Sequence, residues 1–144
     1  MSSQVSVTLH EVVSHFDSYA DAYLRKHHNT TFSHFRLLAT LAELGTSSVT
    51  ELAECLVISK AAVSKRVPEL VADGWLTTSG DPANARRVML DLTPRAWELV
   101  KSAGGTLNSV FGEVLDAVPG LDQEQFHAQL LAINDLIVRR GQPQ

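Results

Sequence analysis

Residues 48–93 read SVTELAECLVISKAAVSKRVPELVADGWLTTSGDPANARRVMLDLT, and their reading decides the fold. Ser48-Val-Thr-Glu51 is a capping box, in which the serine hydroxyl accepts the N–H of Glu51 and the glutamate bonds back. It opens a short helix carrying Leu52, Ala53 and Leu56. Ser59 caps a second helix, with Val63, Val67, Leu70 and Val71 on one face and Gly74 at its end. The turn Leu56-Val57-Ile58 between them has helix-turn-helix length. The period then changes. Val88, Leu90 and Leu92 alternate with Met89 and Asp91, the pattern of a half-buried strand. Residues 75–79 are its partner strand, and Gly80-Asp-Pro-Ala-Asn-Ala85 is the turn-rich tip. A β-hairpin therefore follows directly on a helix-turn-helix.

Outward from this centre the period is helical. Residues 9–24 place Leu9, Val12, Val13, Phe16, Tyr19, Ala20 and Tyr23 at spacings of three and four, and His27-His28-Asn29-Thr30 ends that helix. Residues 32–44 form the next, with Phe35, Leu38, Leu41 and Ala42 inward and Gly45 behind. Downstream, Thr93 caps and Pro94 opens a long helix running through Trp97, Val100, Leu107, Phe111, Val114 and Leu115. Pro119-Gly120 breaks it. Asp122 caps a last helix with Phe126, Leu130, Ile133 and Ile137 inward. The expected fold is mainly α with a small β-hairpin wing: a winged helix-turn-helix at 32–93, flanked by dimerisation helices at 1–28 and 94–140, all within one domain of 1–144.

Composition agrees with a folded, non-membrane chain. Of 144 residues 44% are hydrophobic and 19% charged, which suits one core. One cysteine forms no internal disulfide, and a reducing compartment fits. No run approaches the roughly 20 apolar residues of a membrane span, and MSSQVSVTLHEVV lacks the basic start of a signal peptide, so a cytoplasmic location is expected. The net charge of −4 is uneven. Residues 57–95 hold six basic and four acidic residues, a net +2, while the other six basic and twelve acidic residues sum to −6. A basic centre in an acidic frame fits a DNA reader with a separate dimerisation part.

The pieces FSHFRLLATLAE, VTELAECLVISKAAVSKRVPELVADGWL and DPANARRVMLDLTP resemble the multiple-antibiotic-resistance regulator (MarR) family, and the flanking helices fit it too. Beside that resemblance stands the physical reading of the recognition helix. With Val63, Val67 and Leu70 inward, Lys60, Ala61, Ser64, Lys65 and Pro68 face out, a set suited to the major groove of double-stranded DNA. Ser59 lies beside free backbone N–H groups that suit a phosphate. Pro68 removes one backbone bond, so the helix either kinks there or is short. At the hairpin tip Arg86 and Arg87 suit a narrow minor groove. The resemblance implies an Asp-x-Arg element in the wing whose aspartate orients the arginine. Here Asn84 and Arg86 stand in those places, which keeps an acceptor and loses a charge.

The outer helices carry more apolar surface than one small domain needs, and a homodimer would bury it. The resemblance further implies a repressor of a near-palindromic operator, released by a small aromatic or phenolic effector. His15, Tyr19 and His34 are the candidate effector contacts. No catalytic triad, phosphate loop or metal-ligand spacing is present, so no enzyme activity, cofactor or metal is expected. Cys55 has no resolving partner and reads as a small side chain. The competing class is a winged helix that binds protein instead of DNA.

Overall fold

The computed structural model describes residues 2–141, so Met1 and residues 142–144 of the expected domain lie outside the described residues. The elements are α1 (Ser2–His28), α2 (Phe32–Leu44), β1 (Ser47–Ser48), α3 (Val49–Leu56), α4 (Lys60–Ala72), β2 (Leu76–Asp81), β3 (Asn84–Leu92), α5 (Pro94–Asp116) and α6 (Gln123–Arg140). This is the mainly helical winged helix expected. The chain divides into two compact units, the first reaching Gly105 and the second starting at Thr106.

Side-chain caps set the helix starts. The Thr31 hydroxyl accepts the His34 N–H at 3.1 Å, Ser48 that of Glu51 at 3.2 Å, Ser59 that of Ala62 at 3.1 Å and Thr93 that of Ala96 at 3.2 Å. In the second unit, Asp122 accepts the Gln125 N–H at 2.9 Å. Each satisfies a donor that the helix itself leaves open, worth about 1 kcal/mol. Left-handed residues close two helices. Asn29 has φ 52° after α1, and Val57 has φ 57° after α3. The chain thus stays helical through His27 and His28 and breaks at Asn29. Val57 is β-branched and pays strain at positive φ. The turn is held by the Ile58 N–H on the Ala53 carbonyl at 3.1 Å.

The core of the first unit buries Leu24, Leu37, Leu38, Leu41, Leu52, Val63, Leu70, Leu76 and Leu90. The sheet is antiparallel in the order β1-β3-β2. Two residues of β1, Ser47 and Ser48, pair with Leu90 and Met89 and tie the helix-turn-helix to the wing. A strand this short leaves no periodicity, and the sequence reading had Ser48 only as a cap. The partner strand β2 is displaced by one residue at its start and runs on to Asp81, using residues read as the tip. Thr93 anchors the start of α5, its hydroxyl donating to the Gly74 carbonyl at 2.7 Å. The Arg95 guanidinium lies 3.9 Å over the Trp75 ring and donates to the Asp73 carbonyl.

Some side chains expected inward are not. Val71 is 40% exposed. At about 100° per residue it lies about 80° round α4 from Val63, whereas Leu70 lies about 20° away. Within the second unit Phe111, Leu115, Phe126 and Leu130 are half-buried and line a cavity of about 340 Å³ with His127. On α6 no residue is buried, and Ile133 and Ile137 are 50% and 63% exposed. No helix among the described residues is long and apolar enough to cross a membrane.

Candidate nucleic-acid interface

Helix α4 presents the residues that its period assigns to its outer face. Val63 and Leu70 are buried, Val67 is half-buried, and Lys60, Ala61, Ser64, Lys65 and Pro68 are exposed. The helix continues four residues beyond Pro68, to Ala72, so it is not shortened. Ser59 is exposed at its start, with its hydroxyl on the Ala62 N–H. Neither Lys60 nor Lys65 forms an ion pair among the described residues. Two uncompensated ammonium groups, one hydroxyl and one methyl thus share a convex surface.

The wing is irregular where its arginines lie. Pairing of β2 with β3 steps from Gly80↔Val88 to Asp81↔Asn84, which leaves Ala85, Arg86 and Arg87 without opposite residues. Such bulges bend a strand and re-aim its side chains. Asn84 has a definite part in this. Its side-chain oxygen accepts the backbone N–H of Arg86 at 3.1 Å, supplying the acceptor that the interrupted ladder withholds. Asn84 therefore shapes the backbone at Arg86, and that needs an acceptor and no charge. A parallel bond runs from the Ala83 N–H to Asp81 Oδ1 at 2.9 Å. The Arg86 guanidinium is exposed and has no ion pair among the described residues.

Arg87, its neighbour, is differently placed. Its Nη2 donates to Glu51 Oε1 and, at 3.3 Å, to the Ser48 hydroxyl. Its Nη1 lies 3.8 Å from Asp81 Oδ2. These partners are 36 and 39 residues away along the chain for Glu51 and Ser48, so no local pattern in the sequence announces them.

The three candidate effector contacts differ in exposure. His15 and Tyr19 are exposed, one turn apart on α1. His34, on α2, is largely buried, with Nε2 3.5 Å from Glu69 Oε2 on α4. Among the described residues no group of three or more His, Cys, Asp or Glu is placed to hold a metal ion. Cys55 is exposed on α3.

Residues 28–87 match the sequence profile of the MarR family. No curated protein matches the chain. Solved structures do. The transcriptional regulator BldR from Sulfolobus solfataricus is 21% identical, with 94% of each chain covered and a TM-score of 0.79. A mutant MarR from E. coli complexed with operator DNA is 18% identical over 90% of this chain and 93% of that one, with a TM-score of 0.77. Streptococcus pneumoniae FabT in complex with DNA is 10% identical over 96% and 99%, with a TM-score of 0.81. At these identities the likeness is one of fold.

Proposed function

We propose that this chain, whose residues 28–87 match the MarR family profile, is a member of that family and a transcriptional regulator reading double-stranded DNA as a homodimer. The observation that carries the reading is the outer face of α4. Lys60, Ala61, Ser64 and Lys65 are exposed while Val63 and Leu70 are buried, with Ser59 capping the same helix and Arg86 exposed on the wing that follows. In this reading Ser64 and Lys65 reach base edges, Lys60 and the Ser59 end meet phosphate, and Arg86 enters the minor groove on the backbone that Asn84 shapes. The DNA complexes of the E. coli MarR and the S. pneumoniae FabT support it by analogy of fold.

The finer points are proposals of the same kind. The protein is a cytoplasmic repressor. Its one-domain chain places the DNA-reading lobe at 32–93 and contributes the helices at 1–28 and 94–140 to a two-fold dimer on a near-palindromic operator. Half-sites on successive major grooves are then about 34–36 Å apart. A small aromatic or phenolic effector meets His15, Tyr19 and His34. Because His34 faces Glu69 of α4, a ligand that engages the imidazole would compete with that contact. It releases DNA only by binding more tightly to the conformer that cannot dock.

The test is a salt titration of the full-length protein on a duplex that it selects from a randomised pool. Each phosphate contact contributes a log–log slope of about −0.9. A steep slope with preference for the selected duplex is expected. Binding that is absent or indifferent to salt would instead leave a winged helix that docks on protein.

A further inference from the structure

We propose that Arg87 is not a DNA contact but the strut that fixes the wing against the start of the helix-turn-helix, a positioning role that rests on the DNA-binding reading above. One guanidinium joins three elements. It leaves the bulge of β3, donates to Glu51 in the first turn of α3 and to the buried hydroxyl of Ser48 in β1, and faces Asp81 at the end of β2. The planar fork of arginine suits this, since it directs several N–H groups at once where a lysine directs a point charge.

The Ser48 hydroxyl is fully used. It accepts the Glu51 N–H and an Arg87 N–H, and it donates to Glu51 Oε1 at 3.1 Å. The capping box of α3 and the anchor of the wing are therefore one network. The bulge explains why an anchor is needed. Ala85, Arg86 and Arg87 have no opposite residues in the ladder, so the strand pairing that holds the rest of the hairpin is missing beside Arg86.

Charge separates the two arginines. Two carboxylates face the single guanidinium of Arg87, a local sum of −1, so a phosphate approaching it meets no net attraction. Arg86 carries its charge uncompensated. The wing must hold Arg86 at a fixed distance from α4 if both are to enter adjacent grooves, and α3 packs directly on α4. Arg87 sets that distance through α3.

The experiment compares Arg87→Lys, Arg87→Gln, Glu51→Gln and the double variant Arg87→Lys/Glu51→Gln in the full-length protein. Glutamine at 51 keeps the capping box, so α3 survives. The first readout is amide hydrogen exchange at residues 83–88 without DNA. The second is affinity against salt for the duplex selected by the unaltered protein. Under the proposal each single variant speeds exchange at residues 83–88. Each also weakens binding about tenfold without changing the salt slope, and the double variant is no worse than either single. Glu51→Gln is the sharpest member, because removing a negative charge beside DNA otherwise tightens binding.

The proposal is overturned if Arg87→Lys binds like the unaltered protein while Arg87→Gln lowers the slope by about one unit, the signature of a phosphate contact. Tighter binding by Glu51→Gln overturns it as well. If the unaltered protein binds no duplex, the DNA reading fails separately, and unchanged exchange in Arg87→Lys and Glu51→Gln still refutes the strut.

Discussion

The lobe from α2 to β3 and the outer helices solve the same problem in opposite ways. In the lobe, α2, α3, α4, β2 and β3 each bury apolar side chains, and the charged residues of α4 face out. On α6 no side chain is buried, and Leu131, Ile133, Leu136, Ile137 and Val138 are all at least half exposed. The first half of α1 likewise exposes Val5, Val7, Leu9, Val12 and Val13. Scattered exposed apolar residues are ordinary, but helices lined with them mark surfaces awaiting a partner. The lobe is complete within one chain. Within its own unit each of α1 and α6 leaves an apolar face uncovered, and a second copy is proposed for them.

The largest expected effect tests that contrast directly. Leu38→Ala empties a fully buried site and should cost about 2–5 kcal/mol, equally at every protein concentration. Ile137→Ala removes a side chain that is 63% exposed in the single chain. It should change the stability of dilute protein by about 0.5 kcal/mol or less, with a cost that grows as concentration rises and the dimer forms. Urea unfolding of both variants at two concentrations decides it. Equal, concentration-independent losses would erase the difference between the regions.

The next effect concerns assembly. Val12→Glu puts a charge on the apolar face of α1, and a two-fold interface would meet it twice. Sedimentation equilibrium should show monomer at concentrations where the unaltered protein is proposed to form a dimer, with circular dichroism and the unfolding of the lobe retained. A variant that stays dimeric moves the interface away from α1.

How legible each region was follows from how local its causes are. The caps Ser48, Ser59, Thr93 and Asp122 act over three residues, and each was readable from the sequence. The inner face of α4 was readable because Val63 and Leu70 repeat at seven, while Val71 fell off the edge by its angle. Two features left no local trace. The strand β1 is two residues long, and Arg87 finds partners across 36 and 39 residues. An arginine pair at a hairpin tip looks uniform in sequence. Both are exposed, and the structure divides them by partners, Arg86 without an ion pair among the described residues and Arg87 held by its own chain.

Within the lobe the contrast narrows to single side chains. Ser64→Ala and Lys65→Ala should each remove about 1–3 kcal/mol of discrimination at one base pair. Lys60→Ala should lower affinity for all duplexes alike and reduce the salt slope by about one unit. Arg86→Ala should weaken binding most on sites with A·T-rich flanks, where the minor groove is narrow. Titrations against the selected duplex and its single-base variants separate these roles. If the α4 variants change affinity and never preference, the helix lies along the backbone and specificity resides in the wing.

The smallest expected effect lies where α1 meets α2. Asp21 Oδ1 accepts the backbone N–H of Phe32 at 2.8 Å, and Oδ2 accepts the Arg25 Nε–H at 2.7 Å. The Phe32 N–H first, and Arg25 second, hold its carboxyl below the ordinary value of 3.8. Because the folded value is the lower one, the carboxylate stabilises the fold fully above about 3.8, and that contribution fades as pH falls through the folded value. Asp21→Asn keeps an oxygen for Phe32 and loses the charge that faces Arg25. It should therefore unfold at slightly lower urea than the unaltered protein near neutral pH. The gap should close in strong acid, where both side chains are neutral. A gap that persists unchanged into acid would show that Asp21 acts by shape at this junction and not by charge.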